Sequence, residues 1–412
     1  MRVLVVTPWQ IDRTRPRSRG LIAILSQHCE VRIVSVVSSS RSPRTARATS
    51  SVQKSPPAPT QTVPLSPVGA ITRVVAAIFR GGSLQQAFVS SARARRTIQR
   101  AVSEFHPDFV YFNVLRTAQF IKDAAGVPAI VDLDEFRSKF YDQLATSSSS
   151  AFWRLVARIE SARMRRAEHD VMTKAALILV SSPADLRPDT RAPIRLVRNP
   201  HEFGGPLAVE MSETLHREHG RVTKRIVFVG RQSYRANREG ILWFATRIFP
   251  RVKALEPGCV LQIVGERPPA AIRALASPDI MVTGGVESVE PYYRGACISI
   301  APIRQATGVQ MKLVESLALQ TPCVVTPTVA VGAGVCDGME CLVADTEDEW
   351  FDAVCRLIHD QKLREDLKGH GNLWVDEMHS TPAVEKQFMA ALTEAGIVPP
   401  GAGGSSDSLA SG

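Results

Sequence analysis

The stretch from Ala306 to Thr326, ATGVQMKLVESLALQTPCVVT, concentrates groups that could hold a phosphorylated ligand. On a helix advancing about 100° per residue, Gly308, Lys312 and Glu315 fall within roughly 60° of one another, so a glycine turn, an ammonium and a carboxylate share a face. Helix N–H groups near Gly308 would meet a diphosphate where the helix dipole favours negative charge. Lys312 would add a point charge, and Glu315 would accept hydrogen bonds from sugar hydroxyls. The opposite face, Leu313, Val314 and Leu317, suits packing on a sheet, and Cys323-Val324-Val325 reads as the next buried strand. A solvated Lys–Glu pair on an ordinary surface helix is the alternative that these residues leave open.

Three further groups could do chemistry. Arg225 to Val229 is a strand that runs into Gly230-Arg231, and phosphate needs close N–H groups and a fork of donors. Asp132, Asp134 and Glu135 stand at the end of another strand, where an Asp could accept a hydrogen bond from a sugar hydroxyl or hold an acceptor hydroxyl while it loses its proton. Capping of the following helix is the alternative for Asp134. Arg13, Arg15, Arg17 and Arg19 fall in a loop after the first strand, where an open α/β sheet binds ligands, and suit an anionic acceptor or a phosphate.

The run G-x-x-x-K-x-x-E-S-L-A-x-x-T-P-x-V-x-T resembles the C-terminal motif of retaining glycosyltransferases of family four. The resemblance implies a GT-B fold of two facing Rossmann-like domains with parallel sheets and a cleft between them. It implies that Glu315 holds the donor ribose, that the turn at Gly308 and Val309 holds its phosphates, that Gly230 lets the backbone approach them, and that Arg231 neutralises them. Gly285 and Val286 stand where the family's nucleotide base stacks. Asp134 takes the place of a histidine that faces the reacting sugar, which makes Asp134 and Arg231 the candidate catalytic residues. The chain departs from the common pattern at Thr307, where many members have a second glutamate, and in offering Gly20 alone for a glycine pair. The match covers about residues 225–375 well and 1–200 in outline.

The elements that must position these groups alternate strand and helix, which predicts parallel doubly wound sheets. The expected division is an acceptor-binding Rossmann-like domain over 1–199, a linker over 200–223, a donor domain over 224–378, a helix over 379–396 that crosses back to the first domain, and a flexible tail over 397–412. Within the first domain, Pro8 to Arg19 reads as loop and Leu21 to Gln27 as helix. The Ser/Pro/Thr/Arg run from Ser38 to Pro67 reads as a mobile surface loop, because it cannot bury enough apolar surface to order itself. Leu84 to Phe105 reads as one helix with Arg93, Arg95, Arg96 and Arg100, which either rests on a membrane surface or packs on the sheet with a solvated basic face. Val331-Gly332-Ala333-Gly334 reads as a glycine turn.

Composition sets the remaining limits. The 412 residues are 44% hydrophobic, enough for two cores, and the seven cysteines include no C-x-x-C pair, so reduced thiols without a metal site are expected. Residues 1–200 carry 30 Lys and Arg against 14 Asp and Glu, and the remainder carry 20 against 26, so a basic half (+16) precedes an acidic one (−6). A basic half suits a glycan or lipid-linked acceptor and peripheral contact with an anionic membrane. With 6% aromatic residues and no interleaved basic and aromatic strand, nucleic acid is not an expected partner. No run is long enough to span a bilayer and no signal-peptide pattern opens the chain, so a cytoplasmic protein, peripheral at most to the inner face of the membrane, is expected. The combined reading is metal-independent transfer of a sugar from a nucleoside diphosphate sugar, with no cofactor. A nucleotide-sugar epimerase or hydrolase on this fold, and a non-catalytic sugar-nucleotide-binding subunit, are the competing readings. Dehydrogenase chemistry is disfavoured because no G-x-G-x-x-G follows the first strand.

Overall fold

A computed structural model describes residues 1–11, 15–38, 58–147, 150–188, 190–201, 203 and 224–398. The chain divides into two units, Met1–Pro200 with Val384–Gly412, and His201–Ala383.

In the first unit β1 (Arg2–Thr7), α1 (Pro16–His28), β2 (Glu30–Ser38), β3 (Thr60–Leu65), α2 (Pro67–Arg80), α3 (Leu84–Val89), α4 (Ala92–Phe105), β4 (Phe109–Asn113), α5 (Val114–Ala118), β5 (Ala129–Asp134), α6 (Arg137–Ser147), α7 (Ala151–Lys174), β6 (Leu177–Val180) and β7 (Ile194–Leu196) follow in order. The strands form one parallel sheet, β3-β2-β1-β4-β5-β6-β7. Strand order reverses between β1 and β4, which opens a crevice at their carboxyl ends. Alternating strand residues feed two cores. Val3 and Val5 pack with Leu21 and Leu25 of α1, while Leu4 and Val6 pack with Ile98 of α4 and Met164 of α7.

Local chemistry corrects three expectations here. Helix α1 begins at Pro16 rather than Leu21: proline suits the first helical position, where no N–H is required. The expected loop 38–67 contains β3, which pairs in parallel with β2 from Ile33 to Ser38 and buries Val63 and Leu65. Pro64 is tolerated because β3 is an edge strand; residues 39–57 lie outside the described part. The single helix expected over Leu84 to Phe105 is two, separated at Ser90-Ser91, where Ser91 caps α4 by accepting from the Ala94 N–H. Helix α4 packs through Ala94, Ile98, Val102 and Phe105 and leaves its arginines outward.

The second unit contains β8 (Arg225–Val229), α8 (Arg235–Trp243), α9 (Phe249–Leu255), β9 (Val260–Val264), α10 (Ala270–Arg273), β10 (Ile280–Gly284), α11 (Glu290–Arg294), β11 (Ile298–Ala301), α12 (Met311–Ala318), β12 (Cys323–Val325), α13 (Pro327–Ala333), β13 (Leu342–Val343), α14 (Glu347–His359) and α15 (Gln361–His379). Its parallel sheet has the order β10-β9-β8-β11-β12-β13. The expected glycine turn over 331–334 is instead the end of α13, with Gly334 as its left-handed cap. Most of the expected linker 200–223 lies outside the described residues.

The last helix, α16 (Thr381–Glu394), belongs to the first unit from Val384 onward. Val384, Phe388 and Leu392 cover Val3, Val5 and Tyr111 of its sheet, with the Phe388 and Tyr111 rings 6.2 Å apart. The expected tail also needs correction at its start: Val398 is buried in this core, because the turn after α16 brings the Ile397 N–H back to the Leu392 carbonyl. Residues 399–412 lie outside the described part.

Candidate active site

In the second unit the strand ends of β8, β9 and β10 carry Gly230, Gly265 and Gly284-Gly285 at one edge of the sheet. Gly265 has φ 153°, and a Cβ there would lie 1.9 Å from the Gly230 carbonyl oxygen, so the chains meet at a distance that only glycine permits. Arg231 is exposed just beyond β8. Its carbonyl accepts from Asn237 Nδ2 at 3.0 Å, which fixes the first turn of α8 under the strand end.

Asn237 also reaches the central stretch. Its Oδ1 accepts from Lys312 Nζ at 2.5 Å, and that ammonium lies 5.3 Å above the Phe228 ring. The lysine was expected on an open polar face, but it is 9% exposed, and burial lowers its pKa from 10.5 to about 8, with Glu315 opposing the fall. Glu315 is half-buried; burial raises its pKa, while Lys312 and a 3.4 Å hydrogen bond from the Tyr293 hydroxyl pull it back. Tyr293 donates also to the Lys312 carbonyl at 3.2 Å. The result is a fixed ammonium and a carboxylate one turn of α12 apart.

Gly308 is not part of that helix, contrary to the shared-face expectation. Helix α12 begins at Met311, and Gly308 forms the turn before it at φ 67°. The turn is held against α13: a Cβ on Gly332 would lie 2.6 Å from the Gly308 carbonyl oxygen. Val309 sends its side chain into the core, which leaves its backbone to serve the turn. Val286 packs beside Val229 and Tyr293, and Gly285 precedes it.

In the first unit a polar cluster fills the carboxyl ends of the strands. Asp132, fully buried at the end of β5, accepts from Arg17 Nη2 at 2.6 Å, Arg17 Nε at 3.0 Å and the Tyr111 hydroxyl at 2.8 Å. Arg17 Nη1 donates to the Val197 carbonyl at 2.6 Å and to Asn199 Oδ1 at 2.8 Å. Burial works against the Arg17 charge, but Asp132 and Asp134 outweigh it and raise its pKa. Arg17 is therefore committed to the sheet and is withdrawn from the expected acceptor loop. Arg15 stacks on Trp9, 4.1 Å from its ring centre, and Arg19 rides on α1. Arg13 lies outside the described residues.

Asp134 stands above this cluster with Oδ1 3.6 Å from Arg17 Nε. Burial raises its pKa to about 6, with Arg17 opposing and Asp132 and Glu135 adding to the rise. Its backbone is left-handed, φ 64°, as is that of Val114, the first residue of α5 just past neighbouring β4, φ 62°. Asp adopts this conformation with modest strain, whereas a β-branched residue does so at real cost, and such outliers gather at functional sites. The helix beyond Asp134 begins three residues on, at Arg137, so the capping reading is set aside.

Sequence reasoning assigned no site contact to Asn237, Tyr293, Gly332, Tyr111 or Asn199. A signal existed for the first: Asn237, Ile241, Phe244 and Ile248 are spaced as one buried helical stripe, and a polar residue inside it calls for a partner. Arg17 interrupts the stripe of Leu21, Ile24 and Leu25 in the same way.

Residues 223–360 match the family of glycosyl transferases group 1. The chain carries a glycosyltransferase domain. No curated protein matches the chain by sequence. Among solved structures, HepE from Anabaena in complex with UDP aligns with a TM-score of 0.68 at 12% identity over 96% of this chain and 100% of its own. Sucrose-phosphate synthase from Thermosynechococcus elongatus gives 0.67 at 13% over 96% and 99%, and WaaG, a glycosyltransferase involved in lipopolysaccharide biosynthesis, gives 0.62 at 13% over 95% and 99%. The glycosyltransferase thus has the GT-B fold, with two parallel-sheet α/β units. Among the described residues of this glycosyltransferase, no helix is long and apolar enough to cross a membrane and no group of three or more acidic, His or Cys side chains could hold a metal ion.

Proposed function

We propose that this glycosyltransferase is a retaining, metal-independent enzyme of the family-four type that takes its sugar from a nucleoside diphosphate sugar bound at α12. The observation that carries the reading is the buried Lys312 ammonium, positioned by Asn237 and Phe228 with Glu315 one turn on. A fixed positive charge in a desolvated place stabilises charge on a leaving diphosphate without reorganising during the reaction. Gly230, Gly308 and Val309 supply backbone near the phosphates, Arg231 a second cation, Glu315 the ribose contact, and Gly285 with Val286 the base contact. Asp134 accepts from a hydroxyl of the reacting sugar, and the basic first unit, including Arg15 and Arg19, receives a glycan or lipid-linked acceptor. HepE is described in complexes with UDP, with UDP and glucose, and with UDP-glucose, so uridine nucleotides are the first donors to try.

Calorimetric titration with a panel of nucleoside diphosphates and their sugars, in chelator, tests the donor site. One nucleotide should bind without divalent metal, and Glu315→Ala should weaken it by about 2 kcal/mol, roughly thirtyfold, as expected for a hydrogen bond to a charged group. Binding that requires magnesium would remove the metal-free reading, and unchanged affinity in the variant would move the ribose contact elsewhere. The anomeric configuration of the product, read by NMR, decides retention.

A further inference from the structure

Helix α2 is amphipathic the wrong way round for a helix that packs on its own domain. Its inward residues are the small Ala70 and Ala77, while Val68, Ile71, Val75, Ile78 and Phe79 form an outward stripe about 100° wide. Val68 is 70% exposed and Phe79 86%. The first turns of α7 repeat the arrangement: Phe152, Trp153, Leu155 and Ile159 are exposed, and burial begins with Ala157. The two stripes border each other, because Arg163, one turn beyond Ile159, donates to the Ile78 carbonyl at 3.0 Å.

The charge around these stripes has one sign. The sequence has no Asp or Glu between Glu30 and Glu104, nor between Asp142 and Glu160, so neither α2 nor the exposed start of α7 presents a carboxylate. Arg158 is exposed beside the α7 stripe and Arg80 is exposed at the end of α2, while Arg73 turns to the other side and donates to the Ala87 and Phe88 carbonyls. Apolar stripes with an aromatic pair and a purely cationic border fit the boundary between lipid headgroups and acyl chains. A second copy of the chain would bring the same arginines against themselves.

We infer that α2 and the first turns of α7 form a docking surface for an anionic bilayer, with Phe79 and Trp153 entering the interface and the flanking arginines meeting lipid phosphates. This places membrane contact on α2 and α7 rather than on α4, whose apolar face is occupied by the sheet. The inference goes beyond the donor assignment and does not depend on it.

The test is co-sedimentation of the full-length protein with vesicles of phosphatidylcholine alone and of phosphatidylcholine mixed with phosphatidylglycerol. Pelleting is expected only with the anionic vesicles, weaker as salt rises, with a blue shift of tryptophan emission that Trp153→Phe removes. The double variants Ile71→Ser/Phe79→Ser and Phe152→Ser/Leu155→Ser should each lower vesicle affinity by at least about tenfold, since each withdraws two apolar side chains from the interface. Their melting temperatures and nucleotide titrations should match the parent, because the substituted side chains are exposed and lie outside the donor domain. Failure to bind anionic vesicles, or equal binding by both double variants, overturns the inference. Conversion of a dimer to a monomer by these variants in sedimentation equilibrium also overturns it and assigns the surface to a second copy.

Discussion

Burial sets Lys312 to release its proton at about 8, so in the proposed donor site the charge offered to a diphosphate lies close to its own titration. Nucleotide affinity should therefore be level below pH 8 and fall as pH rises above it. Lys312→Met should flatten that profile and cost about 1–2 kcal/mol of binding at neutral pH, measurable by calorimetry across pH. Stability of the free protein has the opposite slope. The folded pKa is lowered, so between about 8 and 10.5 the unfolded chain holds a proton that the folded chain has released, and this residue's destabilisation disappears across that window. Asp134 titrates in the other direction, its pKa raised to about 6. If its carboxylate is the acceptor for the donor sugar, kcat/KM should fall below pH 6. Asp134→Asn should remove that limb and lower the rate by about 10²–10³-fold while keeping the fold, since Asn also accepts a left-handed backbone.

Among the elements, α12 and α13 are set by how closely they approach. Helix α13 meets the turn before α12 where Gly332 faces the Gly308 carbonyl oxygen. A Cβ at 2.6 Å cannot be accommodated by rotating a side chain, because the obstructing atom is backbone. Gly332→Ala should shift the Gly308 turn and weaken nucleotide binding with a modest loss of melting temperature, a split that calorimetry and thermal unfolding together would read. The motif region was legible as a turn, a helix and a strand because apolar spacing and Thr-Pro punctuation are local signals. That Lys312 is buried was not legible: its partner Asn237 is delivered by α8 from 75 positions away.

For the whole molecule, α16 is the element whose loss should be felt farthest from its place in sequence. It covers one face of the first unit's sheet with residues that follow the second unit. Phe388→Ala leaves a cavity beside Tyr111 and should cost about 3–5 kcal/mol, seen as a lowered denaturation midpoint with little effect on nucleotide affinity. The uneven charge acts on this scale too, and it gains direction once the apolar stripes of α2 and α7 are seen beside the arginines.

The amino-acid sequence by itself determined the alternation of strand and helix and the parallel sheets that follow from apolar strand runs, because these are written in periods of two to four residues. Tertiary structure decided what each polar group does. Arg17, one of four arginines in a row of alternating positions, is bound to Asp132, Val197 and Asn199, while its neighbour Arg15 stacks on Trp9. It likewise turned the apolar side of α2 outward. A helical period shows that a stripe exists but not which surface it meets, since partners 100 or more residues away set burial, and burial sets charge, pKa and exposure.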